Sequence, residues 1–131
     1  MDPTQLPPSW FTLSSFALHV TIHIDPSNVD KFFAAMKPAF DVVAAEPECL
    51  YFEIFQDPAE PGKISWVENW SKGVEWFFKE QMTKEYYKPY LEATEKLYIK
   101  PREFKVLKRL EGFVSAKKGN FEGARVGEFR G

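Results

Sequence analysis

An α+β fold built on one four-stranded antiparallel sheet is predicted by three features of this 131-residue chain. Four stretches are rich in β-branched and aromatic residues, with apolar side chains alternating along the clearest of them. Two longer stretches carry apolar residues at helical spacing. Their order is β-α-β-β-α-β, the ferredoxin-like split arrangement, with four strands and helices on one face.

Each element has a local reason. Residues 1–14 read as an irregular arm: MDPTQLPPSW holds three prolines, and Trp10 and Phe11 are candidate anchors. The first strand runs from about Phe16 to Ile24. Asp25-Pro26 then reads as an N-cap followed by proline at the first helical position. Val29, Phe32, Phe33, Met36, Phe40 and Val43 define one apolar helix face. Pro38 lies inside that helix and removes one of its hydrogen bonds, and Glu46-Pro47 ends it. CLYFEIFQ at 49–56 is a second strand, DPAEPG at 57–62 is turn chemistry, and ISWVENW at 64–70 is a third strand. Ser71 is placed to cap a short helix through Val74, Phe77, Phe78 and Gln81. Thr83 is placed to cap another, through Tyr86, Tyr87, Tyr90, Leu91, Thr94 and Leu97, staggered by Pro89. FKVLKRL at 104–110 is the last strand. The domain therefore spans 15–110.

From Glu111 the composition changes. The tail, 111–131, holds five of the seven glycines and cannot sustain a helix. Phe113, Phe121 and Phe129 recur there every eight residues. They read either as anchors on a surface or as incidental residues of a loose end. The sheet face away from the helices would be bare in a monomer. It would display Ile64, Trp66 and Trp70 or the alternate set, and an apolar face of this kind calls for a cover such as a second copy.

Composition narrows the function. A net charge of −2 with scattered Lys and Arg gives no electrostatic case for nucleic acid. No apolar run approaches the ~18 residues of a membrane span, and the N-terminus lacks the pattern of a secretory or transit peptide, so a cytoplasmic protein is expected. The lone Cys49 excludes an internal disulfide framework and a cysteine-based zinc site. The two histidines, His19 and His23, share one face of a strand about 13 Å apart at ~3.3 Å per residue, too far to ligate one ion together. No metal or other cofactor is expected. Aromatic residues at 17% point to a bulky core, an apolar pocket or an oligomer interface.

The stretches EPECLYFEIFQDP (46–58), ISWVENWS (64–71) and TKEYYKPY (83–90) carry a family resemblance. The chain resembles the antibiotic biosynthesis monooxygenase domain over roughly 16–110. Members typically carry Glu-Pro-Gly-Cys, an aromatic-Glu pair in the second strand and Glu-x-Trp at the end of the third. The matching residues are Glu46, Pro47, Cys49, Phe52, Glu53, Glu68 and Trp70; Glu48 replaces the usual glycine. The resemblance implies a dimeric α+β barrel, and oxygen chemistry on an aromatic or polyketide-like ring without flavin, haem or metal. Several members carry a histidine in the region matching Trp76–Gln81. Its absence here counts against haem degradation.

The residues then sort into candidates. His19 and His23, with Thr21 between them, read either as a polar stripe along a pocket wall, one serving as general base, or as packed histidines of a sheet interior or dimer seam. Asn69 reads as a donor to a substrate oxygen or as a strand-end residue bonding locally. Tyr51 and Trp66 could donate through hydroxyl and indole. Trp70 reads either as a substrate-binding residue or as a core residue fixing helix against sheet. Trp76, Phe77 and Tyr86 belong to an aromatic helix surface that could floor a flat pocket. Glu53 and Glu68 read as structural, paired with Lys105 or Arg109, or more sharply as a buried acid–base pair. Two functions are open: a cofactor-independent monooxygenase using O2 on a phenolic or polyketide ring, and a homodimeric binding, isomerase or lyase protein for a small hydrophobic aromatic ligand.

Overall fold

A computed structural model describes residues 6–124. β1 (Phe16–His23), α1 (Val29–Ala44), β2 (Cys49–Gln56), β3 (Lys63–Trp70), α2 (Val74–Trp76), α3 (Tyr87–Thr94) and β4 (Glu103–Leu107) follow in the predicted order. The sheet order is β2-β3-β1-β4, with every pair antiparallel.

The alternation in β1 sets the layers. Phe16, Leu18, Val20 and Ile22 are buried toward the helices, and Ile64, Trp66 and Trp70 join them from β3. α1 lays Phe32, Met36, Ala39 and Val43 onto this surface, its apolar residues recurring every three or four positions. Phe32, Met36 and Val43 each stabilise the fold by about 1.5–3 kcal/mol on burial. Asp25 caps a short 3-10 turn at Pro26–Asn28 that leads into α1. Gly62 is required where the β2–β3 loop meets the end of β1: a Cβ there would lie 2.0 Å from the Ile24 carbonyl oxygen. The arm turns through a 3-10 segment at Pro8–Thr12, and Trp10 and Leu13 pack on the core.

Three local expectations change. Gly73, not Ser71, stands at the N-cap of α2. α2 widens at once into a π-helical turn, Phe77–Gln81, closed by a bond from the Met82 N–H to the Phe77 carbonyl at 2.8 Å. Thr83 donates backward to the carbonyls of Lys79 and Glu80, and α3 starts only at Tyr87. An ST residue gains more from closing the preceding turn than from capping a helix four residues away.

The uncovered face also differs from expectation. It carries the alternate set, and that set is mixed: Ala17, His19, Thr21 and His23 beside Lys63, Ser65, Val67 and Asn69, flanked by Tyr51, Glu53 and Phe55. The large apolar residues of β3 all went to the helices. A β-bulge between Cys49 and Tyr51 lets Cys49 pack against the core while Tyr51 points to the opposite face. The tail makes one 3-10 turn, Lys118–Phe121. Asn120 hydrogen-bonds Tyr51 there, and Phe121 is half-buried. Phe113 is 85% exposed and anchors on nothing among the described residues; Phe129 lies outside them.

Candidate active site

Glu68 is the one carboxylate sealed among the described core residues, and its surroundings follow from strand parity. Residues 64, 66, 68 and 70 of β3 all face the helices, so the glutamate enters the core between two tryptophans. Both indoles turn toward it. Trp66 Nε1 donates to Oε2 at 3.0 Å and Trp70 Nε1 to Oε1 at 3.2 Å. Among the described residues no Lys or Arg pairs with it. Burial outweighs the two indole bonds and pushes the carboxyl pKa up to about 7.

A cavity of about 50 Å³ lies against this carboxyl. α1 contributes Met36, Ala39, Phe40 and Val43; the sheet contributes Phe52, Trp66 and Glu68; α3 contributes Tyr87 and Tyr90. Phe40, Phe52 and Tyr87 are only half-buried and form its rim. The Phe40 and Phe52 rings meet at 4.6 Å. As it stands the cavity has room for a water or dioxygen. An aromatic ring needs nearer 150 Å³, so its entry requires the rim to part. A wider recess of about 440 Å³, bounded by Glu95 and residues 98–102, is an open surface hollow along one loop, with Arg102 stacked over Tyr98 and Phe104.

Beside the cavity sits a polar cluster. Gln81, fully buried at the end of the π turn, donates from Nε2 to the hydroxyl oxygens of Tyr86 at 2.6 Å and Tyr87 at 2.9 Å. The Tyr87 hydroxyl is pushed well above its usual range by burial and by the nearby Glu68 charge. Burial and the same charge push the Cys49 thiol up to about 12, leaving it a neutral packing residue.

The structure divides the sequence candidates between two faces. His19 and His23 stand on the uncovered face, because Leu18, Val20 and Ile22 take the inward positions; neither lines the cavity. His23 Nε2 lies 3.0 Å from Glu103 of β4. Asn69 and Tyr51 share that outer face as register partners, and Tyr51 bonds Glu53 there. Glu53 and Glu68 therefore cannot form an acid–base pair, and neither meets Lys105 or Arg109. Trp66 lines the cavity. Trp70 is wholly buried, with Trp76 and Phe77 packed on it at 6.0 and 5.3 Å, so these three brace the site rather than floor it. Tyr86 lies one step behind Tyr87. The sequence left Glu68 open between a structural carboxylate and half of a buried acid–base pair with Glu53. The signal that could have lifted it is its position between two inward tryptophans at i ± 2. Among the described residues no group of three or more His, Cys, Asp or Glu could hold a metal ion, and no helix is long and apolar enough to cross a membrane.

Comparison with known proteins supplies the lineage. The sequence model of the antibiotic biosynthesis monooxygenase family matches residues 15–76. A protein of Pestalotiopsis microspora named "Putative monooxygenase GME11364" is 35% identical over 103 residues, which span 79% of this chain and 86% of that protein. The chain belongs to the antibiotic biosynthesis monooxygenase family. Solved structures agree on the fold. A crystal structure described as a "putative antibiotic biosynthesis monooxygenase" from Caulobacter crescentus CB15 superposes with a TM-score of 0.68 at 19% identity, covering 79% of this chain and 95% of that one. A conserved protein from Methanosarcina mazei Go1 gives 0.66 at 14% identity, over 78% and 99%. Family members thus share the helix-covered sheet whose inner layer here holds Glu68.

Proposed function

We propose that this family member is a cofactor-independent monooxygenase that oxidises a phenolic or polyketide-type ring with O2, using Glu68 as its base. The observation that carries this reading is a buried carboxyl, paired with no cation among the described residues, whose pKa burial pushes up to about 7 against an apolar cavity. Such a group is matched to proton abstraction at neutral pH.

The ring enters as Phe40, Phe52 and Tyr87 part. The Glu68 carboxylate removes a phenolic proton, or one alpha to a carbonyl, and the substrate becomes an electron-rich anion. That anion gives one electron to O2, and the radical pair collapses to a peroxide carbon–oxygen bond. The neutral Glu68 returns its proton to the peroxide. Loss of water from a CH–OOH group leaves a carbonyl: a CH2 and O2 become C=O and H2O, with one oxygen retained and one reduced. Apolar walls exclude water that would quench the anion. The reading takes Glu68 as the base in place of either histidine, since neither reaches the cavity.

The family also supports a homodimer joined through the uncovered sheet face, where Val67, Phe55 and Leu107 supply apolar contact among polar neighbours. The second reading, a non-redox isomerase, lyase or binding protein, uses the same base without oxygen. Oxygen uptake with a panel of phenols and polyketide-type ring ketones separates the two. The monooxygenase consumes O2 with a substrate of the panel, at a rate that rises as pH passes about 7. Glu68→Gln lowers that rate by about 10²–10⁴-fold, the range for a lost general base. Substrate conversion without O2 consumption selects the second reading. Full turnover by the Gln variant removes Glu68 from the chemistry.

A further inference from the structure

We propose that Tyr87, held by Gln81, is the hydrogen-bond donor that receives the substrate oxygen in the Glu68 cavity. The inference rests on the base reading above and adds a recognition element: the ligand presents an oxygen acceptor, a ketone or phenolate, at the α3 side of the cavity.

The polar atoms facing the cavity are few. Both indole N–H groups beside Glu68 are committed to its carboxyl oxygens. Tyr90 also lines the cavity, with its hydroxyl beside Tyr98. Tyr87 is the cavity-lining hydroxyl that lies within reach of the Glu68 charge. Its oxygen accepts from Gln81 Nε2 at 2.9 Å, and an amide NH2 only donates. The phenolic hydrogen is therefore free of Gln81. In the unliganded chain it goes to Tyr86, whose ring lies 4.9 Å away. A tyrosine hydrogen can swing about its C–O bond, so an arriving oxygen can take it while Gln81 keeps the Tyr87 oxygen in place.

Gln81 itself argues that this arrangement is held at a cost. It is wholly buried, and its Oε1 has no hydrogen-bond partner among the described residues. A methionine of similar shape would avoid burying an unpaired carbonyl. The π turn, Phe77–Gln81, is what carries this side chain to the two tyrosines, and such turns recur at functional sites. When Glu68 has taken a proton, negative charge develops on the substrate oxygen. A pre-positioned donor in a dry cavity is then worth far more than one in water.

The test uses two probes of equal shape, acetophenone and α-methylstyrene, which differ in an oxygen that can only accept. Binding to the full-length protein is followed at pH 8.5 by the indole N–H resonances of Trp66 and Trp70. At that pH Glu68 is ionised and cannot donate to the ketone. In Tyr87→Phe the ketone-over-alkene preference falls about tenfold from wild type, while alkene affinity stays within twofold. Gln81→Met gives a smaller fall in the same direction, the Tyr87 oxygen being no longer held. An unchanged preference in Tyr87→Phe overturns the proposal, as does failure of wild type to bind either probe at millimolar concentration. Glu68→Gln turnover is read separately: full turnover together with a lost preference in Tyr87→Phe removes the base and keeps the donor.

Discussion

At the scale of single residues, Glu68, the proposed base, should also leave a mark on stability. In the unfolded chain its carboxyl titrates near 4.5; in the folded chain it holds its proton up to about 7. The folded state therefore binds the extra proton between those values. This contribution is fully present below about pH 4.5 and is lost as pH rises through about 7. Its size is on the order of 3 kcal/mol. Urea unfolding of wild type and Glu68→Gln at pH 5 and pH 8 should show the difference. The variant, which cannot ionise, gains relative to wild type as pH rises, by up to about that amount. A pH-independent gap between the two would mean that water reaches the carboxyl and holds it in the ordinary range.

At the scale of elements, α1 is the wall with a built-in weakness. Pro38 is exposed, so it contributes no core volume, yet it cannot donate the helix bond to the Ala34 carbonyl, and it sits between Met36 and Phe40, both of which line the cavity. Pro38→Ala restores the N–H, and thermal or urea unfolding should register a gain of about 2 kcal/mol. Equal or lower stability would show instead that the helix packs only with the proline in place. The helix itself was legible from Asp25-Pro26 and the spacing Phe32, Met36, Val43, and so was every strand, since alternation and β-branching are local signals. The features that decide the site were not. The β-bulge at Leu50 moves Tyr51 to the other face, and the π turn moves Gln81 inward; each inserts one residue into a regular pattern without changing its composition. Strand parity likewise says that His19, Thr21 and His23 share a face but not which face. That depends on the larger apolar side chains winning the helix-covered side.

At the scale of the whole molecule, one sheet face is sealed by helices and the other is open and mixed in polarity. A second copy on the open face would bury at least about 1,200–2,000 Å² in total. Val67 stands near its middle, between His19 and Glu53 in the register. Sedimentation should find a dimer at micromolar concentration, and Val67→Asp should shift it to monomer with the circular dichroism of the fold intact. A wild-type monomer would leave the open face as an ordinary solvated surface. The sealed side has a different consequence. The chain holds four tryptophans, and two of them donate their indole hydrogens to one carboxyl. Indole emission responds to a charge at that distance. The molecule thus carries its own optical indicator: gain or loss of a single buried proton, or arrival of a ring beside it, is written into the colour and intensity of its ultraviolet fluorescence without any added label.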